Sequence, residues 1–261
     1  MRRNSCHLQK SVDLLLSHRP KPYLMAHRGN RVACPENTLA AFRRALVDGA
    51  DILETDLHLT ADGMFVCIHD GTVDRTTDGH GPVAEKTLAE LKTYSASGGR
   101  PEFQAERIPA LSEVAALLPP DVVLALELKT DRFLEPVVCR QLAAEMDRAG
   151  IRNRSVVLSF SLARVQAVRA VAPDIPMGWI TLSGPWPLAG AQLLGPFWPL
   201  LLISPLYVWA AHRRGQAVCP LDPTPDSRLW LYRLLRCDAV LTDNSAATGR
   251  ALGRSPRVVV A

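Results

Sequence analysis

Residues 52–70 read Ile52-Leu53-Glu54-Thr55-Asp56-Leu57-His58-Leu59-Thr60-Ala61-Asp62-Gly63-Met64-Phe65-Val66-Cys67-Ile68-His69-Asp70. The run 52–59 has strand character, Thr60-Ala61-Asp62-Gly63 is a turn signal, and 64–68 is a second strand-like run. The segment therefore predicts a β-hairpin. Alternate side chains of a strand share a face, so Glu54 and Asp56 point the same way. With only Thr55 between them, that face is either solvent or a site. A hairpin reversing at Asp62-Gly63 returns His69 towards these two carboxylates.

On either side of this hairpin, short hydrophobic runs alternate with helical patterns, as in a parallel α/β architecture. Strands are predicted at 23–26, 52–59, 122–128, 155–159, 177–181, 200–204, 217–221 and 239–242. Helices are predicted at 38–48, 111–118, 133–149, 161–171, 206–214 and 227–236. The first repeats Leu39, Phe42, Ala45 and Leu46 at helical spacing, with Asn37 at the expected N-cap. Eight strands with intervening helices favour a closed (β/α)8 TIM barrel, here with an extra β-hairpin after the second strand.

The 261 residues, 48% of them hydrophobic, suit one such barrel of about 250 residues, with a core that needs no disulfide or structural metal. Net charge is +4, with seven Lys or Arg and one acid, Asp13, before Val32. Residues 1–20 are expected to form a flexible basic arm and 21–255 a single barrel domain. No basic stripe elsewhere suggests nucleic-acid binding. Six scattered cysteines lack zinc-module spacing and read as free thiols of a reducing compartment. The apolar run 12–16 is interrupted by Asp13 and is too short for a secretory segment, so a cytoplasmic location is expected.

Two other segments stand out. Residues 71–107, rich in Gly, Thr, Ser and charge, read as an insertion at the barrel mouth or a plain solvent loop. Residues 185–211 contain no charged residue but include Trp186, Trp198 and Trp209. Pro185, Pro187, Pro196, Pro199 and Pro205 break this stretch too often for a membrane-spanning helix. It is assigned to a crossover, a buried strand and a helix start, with weak membrane contact through 185–210 as the other reading.

A third acid, Glu127, lies near the end of the next predicted strand, in Leu124-Ala125-Leu126-Glu127-Leu128-Lys129. Three carboxylates brought close repel one another, each pair by roughly 4 kcal/mol at 4 Å and an effective dielectric near 20. A hard divalent cation with oxygen ligands would offset this, and the absence of a His or Cys cluster disfavours zinc or copper. The other reading pairs the acids separately with Arg and Lys. His27 and Arg28 close the first strand, at the face where barrels place their chemistry. Arg28 suits bidentate phosphate binding, Lys129 adds a point charge, and Glu36 can orient Arg28 by an ion pair. Two histidines can supply one base and one acid, so these residue types together suit phosphodiester cleavage.

The ordered set His27-Arg28-Gly29, Pro35-Glu36-Asn37-Thr38, Glu54-x-Asp56, Thr60-x-Asp62-Gly63, His69-Asp70, Glu127-Leu128-Lys129, Ser159-Phe160 and Leu241-Thr242-Asp243 resembles the glycerophosphodiester phosphodiesterases. The resemblance spans residues 23–244. It implies a phosphodiesterase-type barrel that hydrolyses glycerophosphodiesters to glycerol 3-phosphate and an alcohol. On the same grounds Glu54, Asp56 and Glu127 bind one divalent cation, Ca2+ or Mg2+ with Mn2+ as a further candidate. His27 and His69 become the acid/base pair, Arg28 and Lys129 the phosphate ligands, and Glu36, Asn37, Asp70 and Phe160 supporting residues.

One departure concerns the penultimate strand, where the family commonly has a Trp in a Val-x-x-Trp-Thr-type run. Here the run is Val218-Cys219-Pro220-Leu221-Asp222, which opens the identity of the substrate alcohol. The apolar stretch 185–209 favours, as an alternative, a lysophospholipase D acting on lipid diesters. A non-catalytic phosphodiester-binding relative is disfavoured, since every expected catalytic residue type is present.

Overall fold

Inward and outward side chains alternate along the long strands, and this alternation sorts the apolar residues into two layers. The computed structural model describes Leu16 and residues 19–257. Among the described residues nine strands form one sheet: β1 (Tyr23–His27), β2 (Ile52–Leu59), β3 (Phe65–Cys67), β4 (Val123–Leu128), β5 (Ser155–Ser159), β6 (Met177–Thr181), β7 (Leu193–Pro196), β8 (Ala217–Val218) and β9 (Ala239–Thr242). Eight of them run parallel in the order β8-β7-β6-β5-β4-β2-β1-β9, and β3 pairs antiparallel with β2. Asp238 links the two ends of this order. Its N–H donates to the Val218 carbonyl at 2.9 Å, and its carboxylate accepts from the Val218 N–H at 2.8 Å. The fold is a (β/α)8 TIM barrel.

Tyr23, Met25, Ile52, Val123, Ala125 and Leu158 point into the bore, where Leu16 joins them. Leu24, Ala26, Leu53, Leu57, Leu124 and Leu126 point outward into the larger layer beneath the helices. These helices are α1 (Leu39–Val47), α2 (Leu88–Leu91), α3 (Leu111–Leu117), α4 (Pro136–Arg148), α5 (Leu162–Val171), α6 (Leu200–Ile203), α7 (Tyr207–His212), α8 (Leu229–Leu234) and α9 (Ser245–Ala251). Extending the inward series to the strand ends sets the site: His27 follows Met25, Glu54 and Asp56 follow Ile52, and Glu127 follows Ala125.

The hairpin forms as predicted, with Leu57 opposite Cys67 and Leu59 opposite Phe65. Gly63 supplies the left-handed residue of the turn, at φ +76°. The insertion 71–107 is not a plain solvent loop. Val73, Val83, Leu91 and Ala96 pack with Val66, Ile68 and Ile108 into a small separate core. It leans on the loop after β1, where the Arg100 guanidinium donates to the Ala33 carbonyl at 2.7 Å.

Three local predictions are corrected. Residues 200–204 are not a barrel strand: α6 occupies Leu200–Ile203, and the strand is β7 at Leu193–Pro196. A short apolar run has no period that separates strand from helix, and Gly195-Pro196 disguises the true strand as a turn. Asn37 is not the N-cap of α1; Thr38 is, its Oγ1 accepting from the Ala41 N–H at 3.2 Å. The helix predicted at 133–149 begins only at Pro136, because the residue before a proline is driven to extended backbone, and Glu135 has ψ 120°. Apart from Leu16, Arg19 and Pro20, the expected arm 1–20 lies outside the described residues. Arg19 pairs with Asp51 and Asp121. Cys34, Cys67, Cys139, Cys219 and Cys237 are free and buried, and Cys6 lies outside the described residues. Among the described residues no helix is long and apolar enough to cross a membrane.

The turn that carries Arg28 rests on α1. Gly29 has φ +78°, and a Cβ there would lie 2.6 Å from the Ala41 backbone carbon. Gly29→Ala thus meets both backbone strain and a steric clash that neither neighbour can relieve cheaply. It is expected to cost at least about 2 kcal/mol, lowering the melting temperature by roughly 4–8 °C. A melting temperature unchanged by this substitution would contradict the packing described.

Candidate active site

Glu54, Asp56 and Glu127 each offer a carboxylate oxygen, and these atoms lie within 4.8 Å of one another. The barrel register produces this cluster, since Asp56 stands directly opposite Glu127 in the β2–β4 ladder. All three acids are buried. Burial, followed by the charges of Asp56 and Glu127, pushes the Glu54 carboxyl well above its ordinary value. Burial also raises Glu127, with Asp56 adding to the rise and Lys129 opposing it. For Asp56 burial acts upward too, but Arg28 and Lys129 overrule it and hold the group low. The pocket thus resists a full set of three negative charges.

The arginine and lysine named from sequence sit against these acids. Arg28 Nε lies 3.1 Å from Asp56, and Lys129 Nζ lies 3.0 Å from Glu127 and 3.4 Å from Asp56. Arg28 adopts φ +55°, which turns its own N–H to donate to Glu54 at 3.0 Å. Asp56 Oδ1 is buried and accepts no hydrogen bond from a described residue. An all-oxygen donor set, mutual repulsion and a buried oxygen that accepts no hydrogen bond and has only the Lys129 charge at 3.4 Å beside it suit a hard divalent cation.

Glu36 holds Arg28 at 3.0 Å, as expected, and also engages Arg31 at 3.1 Å and Arg75 at 2.7 Å. Burial alone would raise Glu36, but the Arg75 hydrogen bond and the charges of Arg28, Arg31 and Arg75 bring it down to about 2. Asn37, at φ +54°, donates to Asp56 at 2.9 Å and accepts from the Thr55 hydroxyl at 2.8 Å. Its side chain orients the acids instead of capping a helix.

Both histidines are paired with an aspartate. His27 Nδ1 lies 2.6 Å from Asp243, and His69 Nδ1 lies 2.6 Å from Asp70. With ionised aspartates these rings carry the hydrogen on Nδ1 and leave Nε2 available. Burial lowers the His69 value, with Arg28 and Lys129 adding to the fall against the raising effect of Asp70 and Asp56. Phe160 stands exposed just past β5 and does not line the cavity beside the acids. That cavity is bounded on its other side by Ile180, Leu193, Gly195, Leu221 and Leu241.

Sequence reasoning gave no site role to Asp243, Arg31 or Arg75. Asp243 had a usable signal, since it immediately follows the last barrel strand. Arg75 had none: it lies in the weakly patterned insertion and reaches Glu36 across 39 residues.

Since the raised Glu54 value marks a charge the free fold disfavours, removing that charge is expected to stabilise the protein. With a chelator present, Glu54→Gln keeps an oxygen acceptor for the Arg28 N–H and is expected to gain about 1 kcal/mol or more, roughly 2–4 °C in melting temperature. A carboxyl whose folded value is raised favours the fold in acid. That advantage is lost as the pH rises from the ordinary 4.5 through the raised value, so the wild type should show a larger decline than the variant, which keeps only the smaller contribution of Glu127 from this cluster. A destabilised Glu54→Gln at neutral pH would instead mark the acids as structural ion-pair partners.

Three comparisons relate the chain to known proteins. The sequence model of the Glycerophosphoryl diester phosphodiesterase family matches residues 27–247. A glycerophosphodiester phosphodiesterase of Caldanaerobacter subterraneus subsp. tengcongensis is 36% identical over 234 residues, covering 86% of this chain and 95% of the relative. A phosphodiesterase of Oleispira antarctica, solved in complex with the product sn-glycerol-3-phosphate, superposes with a TM-score of 0.80 at 26% identity, covering 92% of this chain and 99% of that one. A glycerophosphodiester phosphodiesterase of Agrobacterium tumefaciens superposes with a TM-score of 0.76 at 26% identity, covering 86% of this chain and 97% of that one.

Proposed function

The chain belongs to the glycerophosphoryl diester phosphodiesterase family and is a phosphoric diester hydrolase acting on glycerophosphodiesters; from that premise we propose that its reaction is carried by His27 and His69 beside a divalent cation held by Glu54, Asp56 and Glu127. The observation that carries this reading is the conjunction on one rim of a mutually repelling acid triad and two histidine–aspartate pairs. A phosphodiester resists attack because it is anionic and because an alkoxide is a poor leaving group. When bound, the cation supplies Lewis acidity that offsets negative charge on the phosphoryl oxygens.

The remaining work falls to side chains. Arg28, kept in place by Glu36, donates to a phosphate oxygen, and Lys129 adds its charge from the other side of the triad. His69 acts as the base. Asp70 fixes its tautomer and burial keeps it neutral at neutral pH, so Nε2 accepts the proton of the attacking oxygen as the new P–O bond forms. His27 acts as the acid. Asp243, 2.6 Å from Nδ1, orients its ring, and Nε2 gives a proton to the alcohol oxygen as the old P–O bond breaks. The products are glycerol 3-phosphate and an alcohol. The apolar cavity wall, with Leu221 where the family commonly has Trp, supports a second substrate class, the lysophospholipid diesters.

His27→Ala and His69→Ala are each expected to lower kcat by about 100-fold or more while leaving the melting temperature unchanged. The acidic limb of kcat/KM is expected to have its midpoint below the ordinary histidine value of 6.5, because a base with a lowered value stays neutral further into acid. Steady-state assays with glycerophosphocholine and lysophosphatidylcholine side by side would measure both effects and rank the substrate classes. Either variant retaining more than about a tenth of wild-type turnover would remove that histidine from the acid/base pair.

A further inference from the structure

The family assignment leaves unexplained an exposed apolar surface beside the mouth. Leu202 and Ile203 on α6, Leu206, and Trp209 on α7 are all exposed, Ile203 by 76% and Trp209 by 60%. Trp186, also exposed, is drawn to the same region from both sides. The Pro185 carbonyl accepts from the Ser204 hydroxyl at 2.8 Å, and the Pro187 carbonyl accepts from Arg214 at 2.6 Å. The surface begins at the catalytic rim, where α6 follows the end of β7, and continues down the barrel flank along α7.

Its charge is one-sided. From 175 to 221 the only charged residues are Arg213 and Arg214, and no acid interrupts the stretch. The Arg213 guanidinium lies 5.7 Å from the Trp209 ring centroid, one helical turn beyond it. An apolar patch edged by arginine and free of acid complements a lipid surface whose headgroups are anionic: aromatic and aliphatic side chains enter the interface while arginines meet phosphates. A soluble protein partner would equally cover the apolar area, but it would not account for the exclusion of acids over 47 residues. With five prolines interrupting 185–205, the segment suits lying on a bilayer and not crossing it.

We infer that the surface formed by Trp186, Ile203, Leu206 and Trp209, with Arg213 and Arg214 at its edge, docks this barrel on an anionic phospholipid bilayer. This inference is independent of which residues perform the chemistry. Docking places the catalytic rim beside the lipid surface and leaves the acid triad and both histidines uninvolved in binding it.

The test is sedimentation of the full chain with vesicles of phosphatidylglycerol and phosphatidylcholine in equal parts, against vesicles of phosphatidylcholine alone. Wild type is expected to bind the anionic vesicles, more weakly as salt rises. Trp186→Ala/Trp209→Ala is expected to lose at least about tenfold in partition. Arg213→Glu is expected to lose about tenfold on anionic vesicles and to change nothing on neutral ones. Both variants are expected to keep the wild-type melting temperature and the wild-type turnover of glycerophosphocholine in vesicle-free solution. Failure of the wild type to bind anionic vesicles, or variants that bind as well as wild type, would overturn the inference. So would light scattering that reveals a dimer dissolved by the tryptophan substitutions, which would assign the surface to a second copy of the chain.

Discussion

Three carboxylates crowded at the end of a bore are held together against their own repulsion, on the order of 4 kcal/mol per pair in a partly screened pocket. What holds them is the barrel itself. The β2 and β4 ladder fixes Asp56 opposite Glu127, the two-residue period puts Glu54 on the same face, and the apolar layer below excludes water from their flanks. Around this conflict the other site residues arrange themselves as partial relief. Arg28, Lys129 and Asn37 each touch one or more of the acids, yet Glu54 still lies well above the ordinary carboxyl value.

The cations are positioned from outside the triad. Glu36 engages three arginines and anchors the loop after β1 to Arg75 of the insertion. Arg75 in turn reaches Asp70, the partner of His69, at 2.6 Å. One ion-pair chain therefore links the Arg28 side of the mouth to the His69 side. The other histidine is tied through Asp243 to the last barrel strand, and Arg31 lies 3.7 Å from that aspartate. Residues that follow β1, β3 and β9 thus contribute to a single rim.

Much of this could be read from the chain because strand geometry transmits sequence directly into orientation. Glu54, Asp56 and Glu127 followed from a period of two, and the return of His69 followed from Asp62-Gly63. Reading failed where local signals are ambiguous or contacts are long-range. Leu200-Leu201-Leu202-Ile203 carries no period to separate helix from strand, while the true strand ends in Gly195-Pro196. Asn37 has the composition of an N-cap, but a buried Asp56 needing a donor claims its side chain instead. The pairing of His27 with Asp243 joins residues 216 positions apart, and the ladder between β1 and β9 brings them together.

Calorimetric titration tests directly whether the crowded triad seats one divalent cation. Titration of metal-free protein with Mg2+, Ca2+ or Mn2+ is expected to show one ion bound per chain. Glu127→Gln is expected to abolish or greatly weaken that binding while the fold persists. Absence of binding by all three ions at millimolar concentration, or undiminished binding by the variant, would contradict the account.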